Sequence, residues 1–366
     1  MPAYPLIALA TIVAAFIISA GGTVLVRRAA VAAKLVSKVA EDRFGKQPTP
    51  LGGGVAIMAA IALPTLLAAA LAQYWAATGA PGWLPLEVAA HVEGAASRVP
   101  MALIVLGGAL VLCLVGLIDD RWNLGPWLKL IGQALVAAAV VWFADIRILT
   151  VLGEPLSVAV SVLWMLVIIN AVNFMDNMDG LAAAVTLVAS CALLAAAAGL
   201  GQLFVSAWLC LLIGGVLGFL PFNAPPARIY MGDAGSLVLG FFLAAGSMLT
   251  TYYDPTVIAD RPAYTVLSPL IVLAVPLYDF VSVVILRLRA GVSPFRGDTR
   301  HFSHRLVRRG MTVRAAVLTI GLCTAVTGIA AVLLPHVSDW AAMLLAGQTL
   351  GVLCIIALLE SAGEAS

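Results

Sequence analysis

The chain alternates long apolar runs with short polar connections, and the runs are too long for strands. Eleven can cross a bilayer: roughly 5–26, 51–73, 101–118, 126–144, 157–175, 180–200, 203–222, 236–253, 265–286, 313–335 and 340–359. A spanning helix needs about 20 mostly apolar residues, and a helix satisfies its own backbone polar groups where water is absent. The pattern therefore predicts an all-α integral membrane protein with about 11 transmembrane helices. The first run lacks a cleavage-site pattern and reads as a retained helix, not a signal peptide.

Composition agrees. Hydrophobic residues make up 63% of the chain and charged residues 10%, against about 25% charged in ordinary soluble domains. The mean hydropathy is +1.08. A soluble core could not absorb this much apolar sequence. Neither repeats nor a second domain are visible, so 1–366 reads as one polytopic unit. The connection at about 74–99, with Pro81-Gly82-Trp83-Leu84-Pro85, has room for a short interfacial segment. All five cysteines (113, 191, 210, 323, 354) fall inside apolar runs without CxxC spacing and read as packing residues.

Charge orients the set. Seventeen of the twenty Lys/Arg lie in 27–50, 119–129, 223–235 and 287–314, while the opposite side holds only Arg98, Arg147 and Arg261. The positive-inside rule then puts the N-terminus outside (periplasmic) and the C-terminus in the cytoplasm. On this topology Asp119, Asp120, Asp176, Asp179, Asp233 and Asp279 all gather at the cytoplasmic side. Carboxylates at bilayer depth are costly and mark a site lined by protein, water or metal. A net charge of +2 adds little to this picture, and no nucleic-acid partner is expected.

Five segments could carry chemistry. Lys46-Gln-Pro-Thr-Pro-Leu-Gly-Gly-Gly54 holds its backbone extended at the prolines, and the glycines permit close approach to another segment. Lys46 offers a point charge for phosphate. Asp119-Asp120-Arg121 places acid at a helix C-terminus, where the helix dipole disfavours it, so either a solvated turn or a metal or phosphate site must account for it. In Asn170-Ala-Val-Asn173-Phe-Met-Asp176-Asn-Met-Asp179-Gly180, polar residues recur every third position. A continued helix would spread Asn173, Asp176 and Asp179 over about 120° of one face. Grouped amide and carboxylate oxygens suit Mg²⁺; an inter-helix hydrogen-bond ladder is the alternative.

Gly180 then lets the chain turn. Asn223 to Ser236 forms a loop in which Gly232 and Gly235 bracket Asp233, with backbone amides able to face an anion at the start of the eighth span. Tyr230 offers a flat ring near its mouth. In Arg296-Gly-Asp-Thr-Arg300-His301-Phe-Ser-His304-Arg305, lipid attraction explains the basic charge but not two histidines at helical spacing. Zinc is not expected there, since no Cys or third His is near.

In this order, these segments resemble the polyprenyl-phosphate N-acetylhexosamine-1-phosphate transferases, closest to the bacterial enzymes of glycosyltransferase family 4 that act on UDP-GlcNAc and undecaprenyl phosphate. The carrying motifs are Lys46-x-Pro-Thr-Pro-x-Gly-Gly53, Asp119-Asp120, Asn173-x-x-Asp176-x-x-Asp179-Gly180, Met231-Gly-Asp233-x-Gly-Ser236 and His301-x-x-His304, within 46–310. The resemblance implies Mg²⁺, with Mn²⁺ as the other candidate ion, held by Asp233 with Asn173. It implies Lys46, Asp179, Asn223, Tyr230 and Arg300 as substrate-binding residues. Asp119, Asp120, Asp176, His301 and His304 are the catalytic candidates. The muramoyl-pentapeptide branch carries three consecutive histidines where this chain reads His301-Phe302-Ser303-His304, which argues for a GlcNAc-type substrate.

The implied reaction moves GlcNAc-1-phosphate onto the lipid phosphate and releases UMP at the bacterial inner membrane, with a homodimer allowed. Another UDP-N-acetylhexosamine or UDP-MurNAc-pentapeptide is the alternative within this chemistry. A secondary transporter of an anionic solute is the alternative outside it. Transporters keep ionisable groups near the midplane, often within repeats.

Overall fold

A computed structural model describes residues 3–37, 48–250, 262–293 and 300–361. The helices are α1 (Ala3–Ala32), α2 (Gly53–Thr78), α3 (Leu86–Ala89), α4 (Val92–Trp122), α5 (Pro126–Phe143), α6 (Glu154–Met175) and α7 (Leu181–Gly199). They continue with α8 (Leu203–Asn223), α9 (Asp233–Leu249), α10 (Ser268–Val272), α11 (Ala274–Arg289), α12 (Phe302–Arg308), α13 (Val313–Leu333) and α14 (Asp339–Ser361). Among the described residues, nine helices are long and apolar enough to cross a membrane. A bent pair, Ala263–Val272 with Ala274–Arg289, turns by 66°, and α9 is a shorter apolar helix. The chain is a multi-pass membrane protein. The expected eighth run extends to residue 253, and residues 251–253 lie outside the described residues.

Burial separates an inner axis from a lipid-facing rim. Every residue from Ala234 to Met248 in α9 is buried, against α2, α4 and α6. The outer helices α1 and α14 instead expose leucines such as Leu6, Leu350 and Leu358. Such apolar rows belong against acyl chains, where they cost nothing.

Small residues let α9 sit this deep. A Cβ added at Gly54 would fall on the Gly235 backbone, and one at Gly116 on the backbone of Asp233 and Ala234. Thus α2 and α4 meet the first turn of α9 backbone to backbone, the close approach that small residues allow in membranes. Main-chain bonds add to this junction: Gly53 N–H donates to the Tyr230 carbonyl and Gly54 N–H to that of Met231, each at 3.0 Å, and Tyr230 N–H to that of Pro50 at 2.9 Å. The Tyr230–Met231 strand of chain, together with Gly235, is therefore what the Gly-rich segment approaches.

Several boundaries differ from the sequence expectation, and the start of α4 differs by most. Helix α4 starts at Val92, not near residue 101, and carries Pro100 inside it. Proline has no N–H for the carbonyl four residues back. Here Gln73 Nε2 donates to that carbonyl, Ala96 O, at 3.0 Å, so the helix continues without an orphaned acceptor. The short α3 occupies the expected interfacial segment.

Candidate functional site

The ends of α4, α6 and α9 and the start of α5 meet at one end of the bundle. Lys129, in the first turn of α5, places Nζ against Asp233 Oδ2, 3.3 Å from Asp119 Oδ2 and 3.4 Å from Asn173 Oδ1. Asn173 Nδ2 donates to Asp233 Oδ1 at 2.9 Å and to Ser236 Oγ at 2.8 Å, which turns its Oδ1 toward the ammonium. Three oxygens from three helices therefore converge on one positive charge. The other carboxylate oxygen of Asp119, Oδ1, is buried with no hydrogen-bond partner. An anionic oxygen buried without a partner is expensive, so a further cation or donor has a place beside it.

Asp120 has a different job from its neighbour. Its Oδ1 accepts the Asp233 N–H at 2.9 Å and its Oδ2 the Ala234 N–H at 3.4 Å. These are orphan donors of the first turn of α9, and a carboxylate there is favoured by the helix dipole. The anion expected at this helix start is the protein's own Asp120.

The segment after Asn173 departs from the expected continuous face. Helix α6 stops at Met175, Asp176 is its C-cap, and Gly180 (φ 75°) turns the chain into α7. Asp176 stays at the end of α6, but Asp179 leaves that face and accepts the Ala227 N–H at 2.9 Å. The physical reason is that the helix unwinds before the third polar position.

Asn223, expected to contact substrate, is 2% exposed and its amide is engaged by main chain. Oδ1 accepts from Gly180 N–H at 3.1 Å and Nδ2 donates to Ile229 O at 3.0 Å. It clasps two loops together. Tyr230 is buried, and its main chain is paired with Pro50 and Gly53. Lys46 and Arg296 lie outside the described residues.

The histidine segment docks on the same end of the bundle. His301 precedes α12, is 5% exposed, and places Nδ1 2.9 Å from Asp279 Oδ2. His304 is also buried, with its ring centroid 6.3 Å from that of His301. Ser303 Oγ donates to Asn177 Oδ1 at 2.6 Å, tying α12 to the α6–α7 turn. Arg300 donates to the Leu286 carbonyl at 3.2 Å.

Among the described residues, no three His, Cys, Asp or Glu side chains group closely enough to hold a metal by themselves. The oxygens of Asp119, Asp233 and Asn173 are nevertheless the donor type that a hard cation takes when water and substrate phosphate complete its shell. The unpartnered Asp119 Oδ1 fits the same group.

The family model described as glycosyl transferase family 4 matches residues 102–251, the stretch carrying Asp119, Lys129, Asn173 and Asp233. The decaprenyl-phosphate N-acetylglucosaminephosphotransferase of Mycolicibacterium smegmatis is 33% identical over 302 residues, covering 75% of this chain and 69% of that protein. The chain belongs to glycosyl transferase family 4.

Two further relatives of this family 4 transferase are similar over less of its length. The probable undecaprenyl-phosphate N-acetylglucosaminyl 1-phosphate transferase of Bacillus subtilis is 31% identical, covering 64% of this chain and 66% of its own. The undecaprenyl-phosphate alpha-N-acetylglucosaminyl 1-phosphate transferase of Escherichia coli K12 is 28% identical, covering 68% and 70%.

In the family 4 transferase, sequence reasoning missed two basic residues, of which the first is Lys129. It was counted as a loop charge for topology, although an ionisable group just inside an apolar span is itself a functional signal. Arg287 was missed for the same reason and is 2% exposed.

Proposed function

We propose that this transferase moves N-acetylglucosamine-1-phosphate from UDP-GlcNAc to a polyprenyl phosphate at the cytoplasmic face of a bacterial inner membrane. A lipid phosphate oxygen bonds to the β-phosphorus. The bond from that phosphorus to the bridging oxygen breaks, and UMP leaves with that oxygen. Polyprenyl-diphospho-GlcNAc remains in the membrane. The reading rests on one observation above all: side chains of Asp119, Asn173 and Asp233 converge on a single cationic locus, within the stretch matched by the family. The names of the relatives support the lipid and sugar assignments, and the charge asymmetry supports an eleven-span topology with the C-terminus inside.

Two phosphate groups must meet, and they repel. Asp233, Asn173 and Asp119 would hold Mg²⁺, which when bound neutralises phosphate charge and orients both reactants. Lys129 brings the protein's own ammonium group to the same place. Asp176, at the C-cap of α6 just beyond Asn173, is the candidate to line the nucleotide phosphate path. Asp120 fixes the start of α9 and so the position of Asp233. The lipid phosphate, with a second pKa of about 6, is mostly dianionic at pH 7, so this chain's acids serve to align it more than to deprotonate it. The gathering of these groups at helix ends, away from the midplane, favours an enzyme over a transporter.

The test is UMP release by purified protein with undecaprenyl phosphate and a panel of UDP-GlcNAc, UDP-GalNAc and UDP-MurNAc-pentapeptide, with Mg²⁺, Mn²⁺ or EDTA. Fastest release with UDP-GlcNAc, abolished by EDTA, is expected. Release that survives chelation would sink the metal assignment, and preference for the pentapeptide would sink the substrate assignment.

A further inference from the structure

Asp279 has no part in the Lys129 cluster, yet it is 2% exposed inside α11. Both of its oxygens are used. Oδ2 faces His301 Nδ1 at 2.9 Å and Oδ1 accepts the Phe302 N–H at 2.9 Å. On the other side of the imidazole, the Arg287 guanidinium stands 3.4 Å from Nε2. Arg287 itself is 2% exposed and lies 4.9 Å from the ring centroid of Phe174, the residue after Asn173. The His301 ring also meets that phenyl ring edge-on, at 5.8 Å.

Guanidinium is donor-only and a carboxylate acceptor-only. The imidazole between them can satisfy both neighbours in one way: Nδ1 carries the proton and gives it to Asp279, and bare Nε2 faces Arg287. The opposite tautomer would oppose lone pair to lone pair on one side and donor to donor on the other. We infer that Asp279 and Arg287 are positioning residues that lock His301 as the Nδ1–H tautomer and seat the α12 segment against the mouth of α6. His301 is then a buried hub, with both nitrogens engaged inside the protein, and not a ring free to exchange protons with substrate. The inference deepens the proposed transferase reading, because it concerns how the histidine segment of that site is held.

Replacing Asp279 by Asn tests this. A carboxamide can accept from either Phe302 N–H or His301 Nδ1–H, but its NH₂ then opposes the other donor. Shape is kept and one donor–donor conflict is created whichever way the amide turns.

With ¹⁵N-histidine labelling the protein has only four histidine signals to assign, and His301→Gln identifies the one that matters. The expected spectrum of the wild type shows His301 with a protonated Nδ1 and a bare Nε2, and Asp279→Asn loses that pattern. In UMP release, Asp279→Asn should lower kcat at least about tenfold, as loss of an orienting carboxylate does elsewhere, with the KM for UDP-sugar little changed. In a His301→Gln background the same substitution should cost almost nothing further, since the two act as one unit. A wild-type His301 that is doubly protonated, or protonated at Nε2, would overturn the inference even if the variant failed to fold. So would full additivity of the two substitutions. Wild-type protein that releases no UMP would instead defeat the transferase reading, leaving the spectroscopic result to decide this one.

Discussion

Asp119 and Asp120 are neighbours in sequence, but the structure separates their work, and exchanging each for Asn should show it. In Asp120→Asn, one oxygen can still accept the Asp233 N–H, while the second acceptor and the negative charge at the start of α9 are lost. A carboxylate at a helix N-terminus contributes about 0.3–1 kcal/mol, up to about 2 when partly buried, and a hydrogen bond to a charged group about 1.5–3 kcal/mol. A loss near 2 kcal/mol is therefore expected for Asp120→Asn. Asp119→Asn gives up the ion pair with Lys129 but also removes an anionic oxygen that has no partner, so the two effects offset and stability should stay closer to wild type than in Asp120→Asn.

Turnover should fall in both, by about a hundredfold for Asp120 if Asp233 shifts by even 1 Å. The assays are thermal unfolding in detergent and UMP release from about pH 6.5 to 9, well above the lipid phosphate's second pKa of about 6. Each rate deficit should be flat across that range. A deficit that shrinks steadily with rising pH would mean the missing carboxylate was a general base. Equal unfolding midpoints for Asp120→Asn and wild type would refute the capping role.

Other substitutions probe the same junction. Asp233→Asn should abolish turnover while the protein still folds, checked by UMP release beside a melting curve; substantial activity at ordinary Mg²⁺ would sink the ligand assignment. Lys129→Met should lose most activity and Lys129→Arg retain some, because the locus needs a positive charge; equal activity for both would reduce Lys129 to packing. Gly116→Ala should cost at least about 1–3 kcal/mol, visible in yield and melting, because its new methyl group meets the α9 backbone, which cannot rotate away. A stable, active Gly116→Ala protein would show that α4 and α9 are not held this close.

Long apolar runs made the nine long apolar helices among the described residues legible, because bilayer thickness imposes a length that few other structures need. They could not place the start of α4. Proline at 100 normally marks a helix boundary, and the compensating donor, Gln73, comes from another helix. The acids of the site were readable as costly charges, but their division of labour was not. Asp120 turns to main-chain N–H groups over a hundred residues away, and Asp179 to a loop N–H after the helix has already ended. Lys129 and Arg287 were hidden by the rule that oriented the chain, which counts basic residues near span ends without asking which way they face. The resemblance assigns Asn223 to the substrate, and sequence alone could not show that its amide would bridge the Gly180 N–H and the Ile229 carbonyl.

The glycine crossing of α2, α4 and α9 sets how the protein can vary. Where helices touch through side chains, one substitution can be absorbed by another across the contact. Where they touch through backbone, no compensating residue exists, because there is no smaller side chain to retreat to. The lipid-facing rim is therefore free to drift among apolar residues, while Gly54, Gly116 and Gly235 form a fixed point around which Asp233 stays put. A library of random variants sorted for activity should thus be nearly empty at those three positions and crowded along the outer sides of α1 and α14.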